Sequence, residues 1–193
     1  MRYGIRRRLM LGKRITIFPS FICSLDCPYC SAKMPTGKMP REKTRLNEFE
    51  WMDLLETLFN KKRIKEISFS GGEPTMYSGI LFLVEWLLWD GKLVKIFSNL
   101  AKRIQFPISD RLIISTTYHK SDNYDRWKAN LDWYRTQGTR VIPFEIGESE
   151  HETITKPWCD IDYLNNVRGM FFGPDGKQFD KLSDLFRYYA EGR

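Results

Sequence analysis

Three of the four cysteines of this chain fall in one ten-residue stretch, Phe21-Ile22-Cys23-Ser24-Leu25-Asp26-Cys27-Pro28-Tyr29-Cys30. Their spacing is C-x3-C-x2-C. A short loop with that spacing can aim three thiolates at three irons of one cubane, and iron–sulfur clusters usually take four cysteines. The fourth cysteine, Cys159, lies far downstream, so one iron would be left open to a substrate or cofactor. Two other readings compete on spacing alone. A structural zinc site needs four ligands, commonly as paired C-x2-C or C-x2-H units, and neither histidine is near in sequence. Three unliganded thiols are the other alternative.

A second group with chemistry in it is Ser70-Gly71-Gly72-Glu73-Pro74. Read alone it is a turn. Consecutive glycines also let a backbone come close to a ligand, and Glu73 adds an anionic acceptor suited to an ammonium group. Further polar residues stand where strands are expected to end: Ser98 and Asn99 in one place, Ser115, Thr117 and His119 in another. Such positions are often polar for no other reason than facing solvent. A lone histidine such as His119 is usually a surface or packing residue, although it can serve in proton transfer.

These groups need strands and helices to hold them. Arg14 to Phe18 is a β-branched and aromatic run that predicts a first strand, with the cysteine loop at its C-terminal end. Asn47 followed by Glu50 is a capping-box pattern, and Phe49, Met52, Leu55 and Leu58 then recur at helical spacing. Strands are predicted at 65–70, 93–98, 111–116 and 139–146, and helices at 78–89 and 122–137. Gly138 is placed to end the second of these helices. Residues 31–45 read as an exposed basic loop, 147–168 carry no clear element, 169–179 read as a hairpin and 180–189 as a closing helix. Strands alternating with helices predict an α/β fold with a parallel sheet and right-handed crossovers. Five strands, or six with Met170 to Phe172, make a partial, laterally open (β/α) barrel. Sites in such folds lie beyond the C-terminal strand ends, where both motifs fall.

The 193 residues are expected to form one domain, with a core over 14–146 and a C-terminal extension over 147–193. Apolar content of 42% excludes a disordered chain. No apolar run is long enough for a membrane helix, and the start lacks the features of an export signal. A cytoplasmic location and liganding rather than bridged cysteines are therefore expected. The net charge of +7 is concentrated early, at Arg2, Arg6, Arg7, Arg8, Lys13 and Arg14 and again from Lys33 to Arg45. That field suits a phosphate-bearing partner, although a solvated basic surface explains it equally well.

Taken together, Cys23-x3-Cys27-x2-Cys30 with Tyr29 before the last cysteine, and Gly71-Gly72-Glu73-Pro74 after the second strand, resemble the motifs of the radical S-adenosylmethionine (SAM) superfamily. The resemblance covers roughly 15–146. It implies a 4Fe–4S cluster on Cys23, Cys27 and Cys30, and SAM chelated to the open iron. It also implies reductive cleavage of SAM to a 5′-deoxyadenosyl radical that takes hydrogen from substrate, oxidoreductase-type chemistry in the cytoplasm. By the same resemblance Tyr29 lies by adenine. Gly71, Gly72, Glu73 and Pro74 form the amino-group pocket, and Ser98, Asn99, Ser115 and Thr117 are candidates for the ribose and carboxylate. An electron donor such as flavodoxin or ferredoxin is implied as a partner. The family's fifth-strand pattern is met only partly, by Ile146-Gly147 and Glu150. Trp158-Cys159 and the Gly173-Pro174-Asp175-Gly176 turn resemble the start of a twitch extension, but no later cysteine is present to build an auxiliary cluster.

An open barrel suits a large substrate, a nucleic acid, nucleotide or peptide. Two other functions stand beside this one: an activase that places a glycyl radical on a partner enzyme, and a non-catalytic iron–sulfur or zinc protein. A purely structural metal site would have no use for Gly71-Gly72-Glu73-Pro74.

Overall fold

The computed structural model describes residues 13–27, 30, 45–119, 122–145 and 170–191. Its strands are β1 (Lys13–Ile17), β2 (Ile64–Phe69), β3 (Leu93–Ser98), β4 (Leu112–Tyr118), β5 (Val141–Glu145), β6 (Met170–Phe172) and β7 (Gln178–Phe179). Its α-helices are α1 (Glu48–Lys61), α2 (Ile80–Trp89), α3 (Tyr124–Thr136) and α4 (Leu182–Glu191). A 3₁₀ turn, Pro74–Met76, stands between β2 and α2. The sheet order is β5-β4-β3-β2-β1-β6-β7, parallel throughout except for the antiparallel β6–β7 pair. The sheet is open, as expected.

The sixth strand pairs with β1, at the opposite end of the sheet from β5. Residues 146–169 between β5 and β6 lie outside the described residues, as do the expected pattern at Ile146, Gly147 and Glu150, and Trp158 and Cys159. The basic run of 2–8 and the loop of 33–43 lie outside them too.

Local sequence accounts for the main elements. Asn47 Oδ1 accepts from the N–H groups of Phe49 (2.9 Å) and Glu50 (3.0 Å), and Asn47 N–H donates to Glu50 Oε2 (2.7 Å). The predicted capping box therefore starts α1. Trp51, Leu55 and Leu58 then bury one helical face. Helix α2 buries Ile80, Leu83, Val84, Leu87 and Leu88 and stops at Gly91, whose φ of +77° an L side chain rarely adopts. Asn123 caps α3 by accepting from Arg126 N–H at 3.0 Å.

The three helices share a core with one face of the sheet, built from Ile15, Ile17, Ile67, Phe69, Val94, Ile96, Leu112 and Ile114. The residues between them, including Thr16, Ser68, Lys95, Phe97, Ser115 and Thr117, point to the other, inner face. In-register pairing of Ser115 with Ile142 places Ile142 on that inner face as well. Adjacent residues of β6 divide the two sides. Phe172 joins the helix-side core, whereas Phe171 joins a second cluster with Phe18, Phe21, Leu182, Leu185, Phe186 and Tyr189. Helix α4 thus packs on the inner face, at the β1–β6 end.

Candidate functional site

The cysteine loop and the glycine pair are joined through backbone. Past the end of β1 and β2 the two chains continue side by side. Ser70 N–H donates to Ile17 O (2.9 Å), Gly72 N–H to Ser20 O (3.0 Å) and Glu73 N–H to Ile22 O (2.8 Å). The segment 70–73 therefore lies against the chain that enters Cys23. A Cβ on Gly71 would stand 2.4 Å from Ser20 O, and one on Gly72 2.2 Å from Ile22 O. Gly71 also has a φ of +122°. The close approach expected of these glycines is thus made to the cysteine loop itself.

Glu73 ends that run 1% exposed. Its Oε1 accepts from Thr75 N–H (2.9 Å), Thr75 Oγ1 (2.7 Å) and Ser98 Oγ (2.7 Å), and its Oε2 accepts from Asn99 N–H (2.6 Å). Burial pushes its carboxyl above the ordinary range, and these donors pull against that shift. Thr75 is a ligand of Glu73 that sequence reasoning missed. The signal available was a hydroxyl residue two positions after a carboxylate, a common local hydrogen-bonding arrangement. Pro74 begins the 3₁₀ turn and is itself buried. Ser98 Oγ gives its proton to Glu73 and accepts from Leu100 N–H at 2.8 Å. Its hydroxyl is therefore committed to holding Glu73.

Asn99 links this carboxylate to the first cysteine. Its Nδ2 donates to Cys23 Sγ at 3.6 Å, while Leu25 N–H donates to the same sulfur at 3.4 Å. Burial raises the Cys23 thiol above its ordinary value, and the nearby Glu73 adds to the rise. Cys27 is buried, Cys23 and Cys30 are half-buried, and none of the three is in a disulfide. Cys30 N–H closes a turn onto Cys27 O (3.2 Å), and Cys30 packs against the Phe18–Phe21–Phe186 cluster. Tyr29 lies outside the described residues. Ser115 is buried and Thr117 half-buried on the inner face. His119 follows β4, half-buried, with its carbonyl accepting from Asp122 N–H at 2.8 Å.

The groups present fit an amino-acid ammonium beside a metal cluster. No cation reaches the Glu73 carboxylate among the described residues, and the buried Asn99 Oδ1 has no hydrogen-bond partner there. An ammonium group supplies the positive charge that the carboxylate lacks and a donor for the amide oxygen. Among the described residues no three His, Cys, Asp or Glu side chains converge as ligands of a single ion. Sulfurs that bind different irons of a cubane need no such meeting point.

Residues 17–101 match the family model of the radical SAM superfamily. Over that segment the chain is similar to the radical SAM superfamily. Members of this superfamily are enzymes, and its cofactors are a 4Fe–4S cluster and SAM. One similar structure is BtrN in complex with AdoMet and 2-DOIA, with a TM-score of 0.63 and 15% identity, covering 92% of this chain and 76% of that one. Another is SuiB of Streptococcus suis bound to precursor peptide SuiA, with a TM-score of 0.55 and 16% identity over 94% of this chain. The chain spans 45% of SuiB's length. A third is anSMEcpe with bound AdoMet, at 0.59 and 12% identity, covering 84% of this chain and 50% of that one. At these identities the likeness is one of fold. No curated protein sequence matches the chain. Among the described residues no helix is long and apolar enough to cross a membrane.

Proposed function

We propose that this chain reductively cleaves SAM at a 4Fe–4S cluster held by Cys23, Cys27 and Cys30, and that the radical produced removes hydrogen from a large substrate. The observation that carries this reading is the junction of Glu73, Asn99 and Cys23, which sets a buried carboxylate with no cation among the described residues, and an amide oxygen with no hydrogen-bond partner there, next to a proposed cluster ligand. The cluster and SAM, when bound, supply the electron transfer and the radical. The chain's own residues bind and orient. Glu73 Oε2 and Asn99 Oδ1 take the methionyl ammonium. Ser115 and Thr117, on the inner face of β4, take the ribose or carboxylate, and Tyr29 takes the adenine. Thr75 and Ser98 fix the Glu73 carboxylate so that its free lone pairs keep one direction. Phe18, Phe21 and Phe186 pack behind Cys30 and keep water from that side of the loop.

For the substrate, a peptide has the support of the SuiB likeness and of an open inner face where Phe97 is 41% exposed. The phosphate-bearing alternative drew on the early basic residues. Arg14 is one of them, and its guanidinium is engaged with Glu66, through Nε–Oε1 at 2.7 Å and Nη2–Oε2 at 3.0 Å. The electron is supplied by a small redox protein such as flavodoxin or ferredoxin.

The test is anaerobic incubation of reconstituted protein with SAM and dithionite, with 5′-deoxyadenosine measured. Product that requires reductant and vanishes in Cys27→Ala is expected. Iron-loaded protein that yields none, with or without candidate peptides, would overturn the reading.

A further inference from the structure

Leu100 is fully buried and has a φ of +57°, the only non-glycine residue in the left-handed region among the described residues. A leucine adopts that conformation only where its surroundings impose it. The surroundings here are one face of α3. Arg126 Nη1 donates to Leu100 O at 2.8 Å and Nη2 to Asn99 O at 3.5 Å. Asn130, one turn on, donates through Nδ2 to Leu100 O at 2.8 Å and accepts from Arg103 Nε at 2.8 Å. Arg126 is itself held by the Asp122 carboxylate, through Nε to Oδ1 at 2.9 Å and a second contact from Nη2 to Oδ2.

Two consecutive carbonyls are thereby drawn toward α3. The rest of the Asn99 residue points away from them, with its N–H on Glu73 and its side-chain amide on the Cys23 sulfur. Satisfying two buried carbonyls is one service of this clamp. Its second consequence is electronic. A hydrogen bond donated to a cluster-ligating sulfur stabilises the reduced, more negative state and so raises the reduction potential.

We infer that Asn99 tunes the cluster through its amide bond to Cys23, and that Arg126 is the positioning residue that keeps the amide there. This rests on the cluster reading given under the proposed function. Loss of the amide should make the cluster harder to reduce. Loss of Arg126 should act in the same direction and through Asn99. Lysine keeps the charge but cannot span two carbonyls as a guanidinium fork does.

The test is an anaerobic redox titration of iron-loaded protein, followed by absorbance and EPR with neither SAM nor substrate present. Asn99→Ala should lower the midpoint potential, and Asn99→Asp, which exchanges the donor for an anionic oxygen, should lower it further. Arg126→Gln should lower it by no more than Asn99→Ala does, and Arg126→Lys by less than Arg126→Gln. In the double variant Arg126→Gln/Asn99→Ala, the Arg126 change should add nothing, since its effect runs through an amide already removed. Should Asn99→Ala not take up iron, the near-isosteric Asn99→Asp and the two Arg126 variants decide the matter. Unchanged potentials in loaded Asn99 variants overturn the inference alone. So does an Arg126 effect that persists undiminished without the Asn99 amide, since a direct through-space charge would explain it. Wild-type protein that takes up no iron overturns the cluster reading, and this inference with it.

Discussion

Gly72 lies so close to Ile22 that a Cβ at position 72 would stand 2.2 Å from the Ile22 carbonyl oxygen. The obstacle is backbone, and it is the backbone that Glu73 N–H holds at 2.8 Å. Neither side can turn aside as a flexible side chain would. Gly72→Ala should therefore separate the cysteine loop from the Glu73 segment, at a cost of about 1–3 kcal/mol for forced overpacking. Chemical denaturation of the iron-free protein measures that cost. Iron uptake should fall with it, because the loop's register is lost. A Gly72→Ala variant with unaltered midpoint and iron content would show that this contact positions nothing.

The three loop cysteines should be individually required for the cluster. Replacement of Cys23, Cys27 or Cys30 by Ala is expected to abolish the iron–sulfur absorbance of anaerobically reconstituted protein, where wild type holds about four irons per chain. Cys159→Ala should retain it. Retention of full iron by any one of the three loop variants would contradict this assignment of ligands.

Glu73 gives a pH dependence with a definite sign. Burial raises its carboxyl above the ordinary value of 4.5. An ammonium ligand needs the ionised form, so SAM affinity should fall as pH drops through that raised value, in a window above the usual carboxylate range. The SAM-free protein responds in the opposite sense. A folded-state value above the unfolded one contributes stability at low pH that is lost as pH rises through the folded value. Glu73→Gln should flatten both profiles and weaken SAM binding by about 1.5–3 kcal/mol, the worth of a charge-assisted hydrogen bond, or roughly ten- to a hundredfold. Calorimetric titration with SAM across pH checks this. Equal affinity in the variant would remove Glu73 from the pocket.

Thr116 and Trp127 make a purely structural counterpart. Trp127 Nε1 donates to Thr116 Oγ1 at 3.0 Å, and both residues are fully buried. Thr116→Val leaves that indole N–H without an acceptor and should cost about 1–3 kcal/mol, read as a lower thermal midpoint. Thr116→Ser keeps the hydroxyl and should cost less. Iron binding should survive both, since Thr116 faces α3 while its neighbours Ser115 and Thr117 face the inner side.

Much of this arrangement is legible in the sequence. The capping box at Asn47 and Glu50, the strand before each motif and the open parallel sheet all follow from local pattern. The partner of β6 does not, because three residues, Met170 to Phe172, carry no signal that selects β1 over β5. The side of the sheet taken by Ile142 is likewise fixed by pairing with Ser115, not by alternation alone. At the site, residue types point to the ammonium pocket, but the use of each atom is non-local. Ser98 reads as a cofactor contact, yet its hydroxyl is spent on Glu73, 25 positions earlier. Nothing in the local sequence marks Arg126, and only the fold brings it to the carbonyls of Asn99 and Leu100.

The central claim is that SAM binds the cluster through its amino-acid end, beside Glu73 and Asn99. The most direct measurement is the EPR spectrum of the dithionite-reduced, iron-loaded protein with and without SAM. A reduced-cluster signal that changes on adding SAM in wild type, and changes only at much higher SAM concentration in Glu73→Gln, is expected. A signal indifferent to saturating SAM, or protein that takes up zinc in place of iron, would contradict it.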